Sequence, residues 1–297
     1  MQTKLLSFSY LAIFGLSVLL LSCKDQENFE SVARAKPRDL SQEFKDYWYS
    51  GEAEITSYQL EQPRYGELRS GSAVLIFVTE DFLPKVQVKA NAQNPDNIPV
   101  LKLNTTKNYL TGIYPYSIMN SAFLPLTTKN HAIKVTNSIQ EWCGQMYTQL
   151  NNRGEYYVES HTYFEGEADQ KFTLPRGTVE DEIWALLRVD PNELPSGEKK
   201  IIPSIEYLRL HHLELKPYKA ICTLSNVSYS IAYPELNRTL TINFETAFPY
   251  AITGWTERFP SGNKEMTATA SRIKSLKTPY WKQNAEKFVS LRDSLGL

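Results

Sequence analysis

The chain opens with one long apolar stretch, and nothing after it repeats that pattern. Residues 5–21 are apolar apart from Ser7, Ser9, Gly15 and Ser17. Beyond them, polar and apolar positions mostly alternate with a period of two, as in strands that turn one face to a core and the other to water. The alternation predicts strands over 52–61, 65–79, 85–90, 100–104, 113–123, 132–142, 145–150 and 156–164. It resumes over 218–224, 227–233, 238–244, 251–259 and 264–273. Turn residues punctuate these runs, as in Asn94-Pro95-Asp96-Asn97, Asn151-Asn152-Arg153-Gly154 and Phe259-Pro260-Ser261-Gly262-Asn263.

A helical period is clear in three places. Leu40, Phe44, Tyr47 and Trp48 predict a short helix capped by Asp39 and stopped by Gly51. Thr178 starts a second, with Asp181 placed for a capping box and Val179, Ile183, Leu186 and Leu187 on one face. Thr278 and Pro279 start a third, with Trp281, Ala285, Phe288 and Leu291 as its stripe. Residues 204–215 fit neither period. The fold class that follows is mainly β (α+β): a curled antiparallel sheet, half-barrel or sandwich with three or four short helices. Residues 39–297 form this β-rich region, with a division into lobes 39–170 and 171–297 left open.

Lys4 ahead of the apolar run gives the layout of an export signal. Leu20-Leu21-Ser22-Cys23 resembles the lipobox of type II signal peptides, which implies cleavage before Cys23 and acylation of its thiol. Residues 1–22 then read as signal peptide, and 23–38 as the lipidated cysteine followed by a polar, flexible tether. An uncleaved helix over residues 5–21 would span only roughly 26 Å, short of a hydrocarbon core of about 30 Å. Two or three acyl chains, at about 0.8 kcal/mol per buried methylene, hold a protein to a bilayer without help from its fold. Lys24 stands where many inner-membrane lipoproteins carry aspartate, which favours the outer membrane. Lys24-Asp25-Gln26-Glu27 resembles tethers that lead some lipoproteins to the cell surface, so the periplasmic face and the surface both stay open.

Composition narrows the partners. Lys4 is the one charge in residues 1–22, so the mature chain carries 31 basic against 33 acidic side chains. So even a balance speaks against nucleic acid, or an anionic bilayer surface, as the main partner. Eighteen tyrosines and five tryptophans suit pleated sheet. With Cys23 lipidated, Cys143 and Cys222 remain as a possible disulfide outside the cytoplasm, or as two separate thiols.

Candidate chemistry is sparse. The sequence has no Gly-x-Ser-x-Gly, P-loop, Gly-x-Gly-x-x-Gly, His-Glu-x-x-His or Cys-x-x-Cys motif. It names no catalytic residue, metal site or cofactor. His161, Tyr163, Glu165, Glu167 and Asp169 share one parity and would face one side of a continuous strand, either as a solvated face or as carboxylates for a cation, a sugar or hydrolysis. His211-His212-x-Glu214 reads as interface or surface histidines, with His212 and Glu214 as an incomplete metal pair.

Four stretches carry a family resemblance. Gly51-Glu52-Ala53-Glu54-Ile55-Thr56-Ser57-Tyr58, Val74-Leu75-Ile76-Phe77-Val78-Thr79-Glu80-Asp81-Phe82, Gly112-Ile113-Tyr114-Pro115-Tyr116-Ser117 and Gln140-Glu141-Trp142-Cys143-Gly144 resemble those of uncharacterised Gram-negative envelope lipoproteins often labelled "septum formation inhibitor Maf". True Maf proteins are cytoplasmic nucleoside triphosphate pyrophosphatases with an α/β fold and a Ser-x-Ser-Pro-Arg-Arg-type motif. This sequence lacks that motif, so the resemblance carries no catalytic residue across. The order of curled sheet, internal helix and the strand around Phe248-Pro249-Tyr250-Ala251-Ile252 is similar to half-barrel lipoprotein carriers, which implies a concave face for acyl chains. The expected function is therefore non-catalytic binding of an apolar or carbohydrate ligand, or of an envelope protein. A hydrolase using the strand carboxylates is the alternative, with pyrophosphatase activity of the Maf kind a remote third.

Overall fold

The structure, a computed structural model, describes residues 36–297; the signal peptide and Cys23 lie outside the described residues. The described residues form one sheet of sixteen strands. In chain order these are β1 (Ala53–Arg64), β2 (Glu67–Leu83), β3 (Val88–Lys89), β4 (Ile98–Thr111), β5 (Tyr114–Pro125), β6 (Lys134–Glu141), β7 (Gly144–Asn152) and β8 (Tyr156–Thr162). There follow β9 (Gln170–Leu174), β10 (Thr178–Val179), β11 (Gly197–Ile202), β12 (Tyr218–Leu224), β13 (Ser228–Tyr233), β14 (Arg238–Phe244), β15 (Ile252–Ser261) and β16 (Lys264–Thr278). Four α-helices accompany them: α1 (Gln42–Trp48), α2 (Glu180–Val189), α3 (Ile205–Leu210) and α4 (Leu291–Leu295).

The chain enters the sheet in its middle. β1 pairs with β2 on one side and with β16 on the other. Hairpin steps lead outward from β2 through β4 to β9, with the short β3 off the path on β2. From β10 the strands lead back to β16, every neighbour antiparallel except β10 with β11. The sheet's two edges, β9 and β10, are thus consecutive in sequence, joined by Pro175, Arg176 and Gly177. With Cα atoms about 3.8 Å apart, that link holds the edges within about 15 Å. The mainly β class holds: the sheet curls into a barrel whose ladder is left open at β9 and β10.

Alternation decides what fills the barrel. Val135 and Ile139 of β6, Met146 and Leu150 of β7, Tyr156 and Val158 of β8, and Leu240 and Ile242 of β14 are buried on the inner face. Their outward neighbours are residues such as Thr136, Ser138, Gln145, Gln149, Glu159, Thr239 and Thr241. A transmembrane barrel carries an apolar outer band instead. The main hydrophobic cluster runs from Phe44 to Ala270 and draws on both sides of residue 170.

The helices depart from expectation in instructive ways. α1 is capped by Ser41, whose Oγ accepts from the Phe44 N–H at 3.0 Å, and not by Asp39. Thr178 belongs to β10, and α2 starts after Val179 with no side-chain cap. Asp181 closes no capping box. It accepts from the Ile205 N–H at 3.2 Å and the Ser204 hydroxyl at 3.1 Å, satisfying the start of α3. The predicted C-terminal helix gives way to a longer β16 and two 3-10 turns, Tyr280–Lys282 and Glu286–Phe288, before α4. Trp281 and Ala285 of its stripe are exposed and Phe288 and Leu291 only half-buried, and a helix with so little of its face covered lacks the tertiary packing it needs to persist.

α2 lies against β4 and β5 inside the barrel, with eight of its ten residues buried. It takes charge in with it. Arg188, 1% exposed, donates to both carboxylate oxygens of Glu54 at 2.6 and 2.7 Å and to the Pro249 carbonyl at 2.7 Å. Its guanidinium also lies 5.0 Å from the Trp48 ring and 4.7 Å from that of Phe77. Burial pushes the Glu54 carboxyl up, but Arg188 outweighs it and holds the group below its ordinary range. Replacing one partner strands the other in a dry interior. Glu54→Gln is expected to destabilise the fold by about 3–5 kcal/mol, while Glu54→Met with Arg188→Met recovers most of that loss. Urea unfolding of the single and double variants checks this, and equal losses in both would be the wrong outcome.

Candidate functional site

The turns β1–β2, β4–β5, β6–β7 and β15–β16, and the segment carrying α3, lie at one end of the barrel. The described chain enters at the other end, where Pro37 bridges Thr128 between β5 and β6. At the turn end a cavity of about 230 Å³ opens between Gln62 to Tyr65 on one side and Phe259 to Gly262 on the other, with Leu210 and His211 closing it. A second cavity of about 50 Å³ lies deeper, and Gln62, Leu210, His211 and Phe259 line both. At the roughly 30 Å³ that a water occupies in the liquid, the inner chamber has room for about one or two waters and the mouth for about eight.

The inner chamber is built from charges standing on rows that are otherwise apolar. Lys107 of β4 donates to Glu206 of α3 at 2.8 Å, and the Asn120 amide donates to the second oxygen at 3.0 Å. Arg238 of β14 holds both oxygens of Glu180 at 2.5 and 2.6 Å and donates to Glu257 of β15 at 2.6 Å. Tyr233 adds a hydroxyl to Glu180 at 2.7 Å, and the Arg238 guanidinium lies 4.3 Å from the Tyr207 ring. Burial pushes Glu257 up, but Arg238 and then Lys107 hold it below its ordinary range.

The mouth has a different character. Arg64 donates to the Tyr116 hydroxyl at 3.2 Å from both Nε and Nη2, and to the Leu210 carbonyl at 2.9 Å. Its guanidinium sits 4.6 Å from the Tyr65 ring and 5.2 Å from that of Tyr116. Among the described residues it has no carboxylate partner; burial opposes its charge, and tyrosines alone figure among the main groups that sustain it. Gln62 is 5% exposed, its amide donates to the Pro63 carbonyl at 3.4 Å, and its Oε1 is buried without a partner. His211 stacks on Tyr207 at 4.1 Å, meets the Phe259 ring edge-on at 4.9 Å, and pairs through Nδ1 with the Tyr207 carbonyl at 2.9 Å. Burial lowers its pKa, so the ring is neutral at pH 7; Nδ1 then donates to that carbonyl and Nε2 is left as an acceptor.

The residues singled out from sequence lie elsewhere. His161, Tyr163, Glu165, Glu167 and Asp169 do not share a strand face, because β8 ends at Thr162 and the chain turns at Gly166, whose φ of +83° suits glycine. His161 sits on the outer face and pairs with exposed Asp169 at 3.0 Å. Glu167 turns the other way, to Arg209 at 3.2 Å and His212 at 2.6 Å, and Glu165 is exposed. Tyr163 lies across Gly144, where any Cβ would fall within 2.7 Å of the ring. The carboxylates diverge, and the hydrolase reading that needed them together loses its basis. Glu214 pairs with Lys216 at 2.6 Å and not with a metal partner of His212. Of the two readings for the cysteines, the structure has separate thiols: Cys143 is free and exposed at the β6–β7 turn, and Cys222 is free and buried on the inner face of β12.

The chamber itself reports on pH. Asp181 is pushed up to about 7, first by burial and then by Glu180 beside it, against the hydrogen bonds from Ile205 and Ser204. Its unfolded value is near 3.9, as for any aspartate. A folded value above the unfolded one means that this stabilising proton counts fully below about pH 4 and is lost as pH rises to about 7. Asp181→Asn removes that loss. Urea unfolding across pH 4 to 8 should show the variant gaining on the natural chain by on the order of a few kcal/mol as pH rises. A difference independent of pH would contradict it.

No family model matches the chain, and no curated protein does. Two solved structures align with most of the chain. A beta-barrel-like protein of the domain of unknown function DUF1849 from Brucella abortus aligns with 76% of this chain and 97% of its own, at 6% identity and a TM-score of 0.46. A porin-like protein from Bacteroides uniformis aligns with 74% of this chain and 95% of its own, at 9% identity and a TM-score of 0.20. Both scores fall below one half, too low to carry a role from either protein to this chain.

Proposed function

We propose that the chain is a membrane-anchored envelope lipoprotein whose open barrel end binds a carbohydrate without transforming it. The supporting observation is the mouth: a cavity of about 230 Å³ where aromatic rings stand beside Arg64, Gln62 and His211. Aromatic faces take the C–H face of a sugar ring, and planar amide, guanidinium and imidazole groups read its hydroxyls. An acyl chain fits less well, because the space where it would lie is filled by α2 and its ion pairs. The anchoring part rests on the export signal, on Cys23 in its lipobox-like setting, and on the resemblance to envelope lipoproteins. Since the described chain enters at the end opposite the mouth, an N-terminal anchor leaves the mouth free to face away from its bilayer.

Cys23→Ala should move the exported protein from the membrane fraction to the soluble fraction; retention in the membrane would remove the anchor. For the ligand, isothermal titration of the full-length protein in detergent with a panel of neutral and acidic mono- and disaccharides should give saturable binding in the micromolar to millimolar range. Gln62→Leu, which keeps volume and deletes the acceptor, should weaken it. Absence of binding across the panel would discard the carbohydrate reading.

A further inference from the structure

The mouth specifies more than a sugar, because its unsatisfied groups ask for two kinds of partner, an anion and a hydrogen-bond donor. Arg64 brings a positive charge that no carboxylate among the described residues neutralises. Its hydrogen bonds run to a tyrosine hydroxyl and a backbone carbonyl, both neutral, and the flanking rings of Tyr65 and Tyr116 hold it in place without cancelling its charge. Deeper in, Lys107 and Arg238 are already matched by Glu206, Glu180 and Glu257, so the chamber beyond the mouth repels an anion. Gln62 lines both cavities, and its Oε1, buried and unpartnered, can only accept a hydrogen bond. His211 lines both cavities too, and its Nε2 makes the same demand because Nδ1 is committed to the Tyr207 carbonyl.

We infer that the mouth is an acidic-sugar site, in which the carboxylate of a uronic acid pairs with Arg64 while hydroxyl groups of the same ring donate to Gln62 Oε1 and His211 Nε2. The anion stays at the rim, where the unmatched cation is, and the hydroxyls point inward, where acceptors wait. A neutral hexose satisfies the acceptors and leaves the guanidinium bare; a simple carboxylate does the reverse. This inference rests on the carbohydrate reading above and sharpens it.

The test compares D-glucuronate and D-galacturonate with their amides, their neutral parent hexoses and sodium acetate, each titrated into the full-length protein in detergent. At least one uronate should bind about ten- to a hundred-fold more tightly than its amide or parent hexose, the worth of a charge-assisted hydrogen bond. Arg64→Gln should erase that preference, bringing uronate affinity down to that of the amide, and Arg64→Lys should restore part of it. The comparison of uronate with amide uses the natural protein, so it stands even if the Arg64 variants fold poorly. Equal binding of uronates and hexoses overturns the acidic-sugar site and leaves the carbohydrate reading intact. Acetate binding as tightly as the uronates overturns it in favour of a plain anion site. If no saccharide binds, both readings fall together.

Discussion

Everything inside this barrel depends on charge being matched where water is absent. An isolated ion in a protein interior costs several kcal/mol even after relaxation, and α2 brings four ionisable groups inside at once. Glu180 is met by Arg238 and Tyr233, and Arg188 by Glu54. Glu182 accepts from the Ala132 N–H and pairs with His131 at 2.7 Å. Asp181 alone finds neutral donors, and there the pKa moves instead. These pairs reach to β1, β14, β15 and the loop before β6, so they fix the helix against distant parts of the sheet. A plug of purely apolar residues could fill the same space but would not fix which way the helix faces.

The fold was largely legible because alternation is a strong signal wherever one face of a sheet is buried. The strands over Lys134–Glu141, Gly144–Asn152 and Arg238–Phe244 follow their apolar rows closely. What failed was local grammar overruled by context. Thr178 looked like a helix start, yet its backbone pairs in parallel with β11. The shared parity of residues 161 to 169 meant nothing once the strand ended and a glycine turned the chain. The stripe through Trp281 and Phe288 had the right period but too little surface to bury it, with Trp281 exposed and Phe288 half-buried.

The site is legible in the sequence in principle, though not as a motif. Tyr58, Leu60, Gln62 and Arg64 form one inward row of β1; Leu101, Leu103, Thr105, Lys107 and Tyr109 form one on β4. Tyr116, Ile118 and Asn120 do so on β5, and Trp255, Glu257 and Phe259 on β15. Each row is apolar until one or two polar residues interrupt it. A buried polar group is costly unless partnered, so such interruptions at inward parity mark a shared interior feature. That they converge on one chamber could not be read from the sequence, because convergence depends on register between strands far apart along the chain. Motif searches look for chemistry close together in sequence; here it is spread across five strands and two helices.

The pairing of β1 with β16 ties together the two ends of a long polypeptide. Thr56 and Ser275 share a hydrogen bond across 219 residues, so the first strand made is completed only by the last. Contacts so distant in sequence slow folding, since the entropy of closing the loop is lost before the ladder rewards it. During synthesis the early strand has an open edge and nothing to seal it, an aggregation hazard for a chain left to fold piecemeal. Such a topology keeps itself unfinished until the final hairpin emerges, so the whole chain must be present before any part of the barrel can seal.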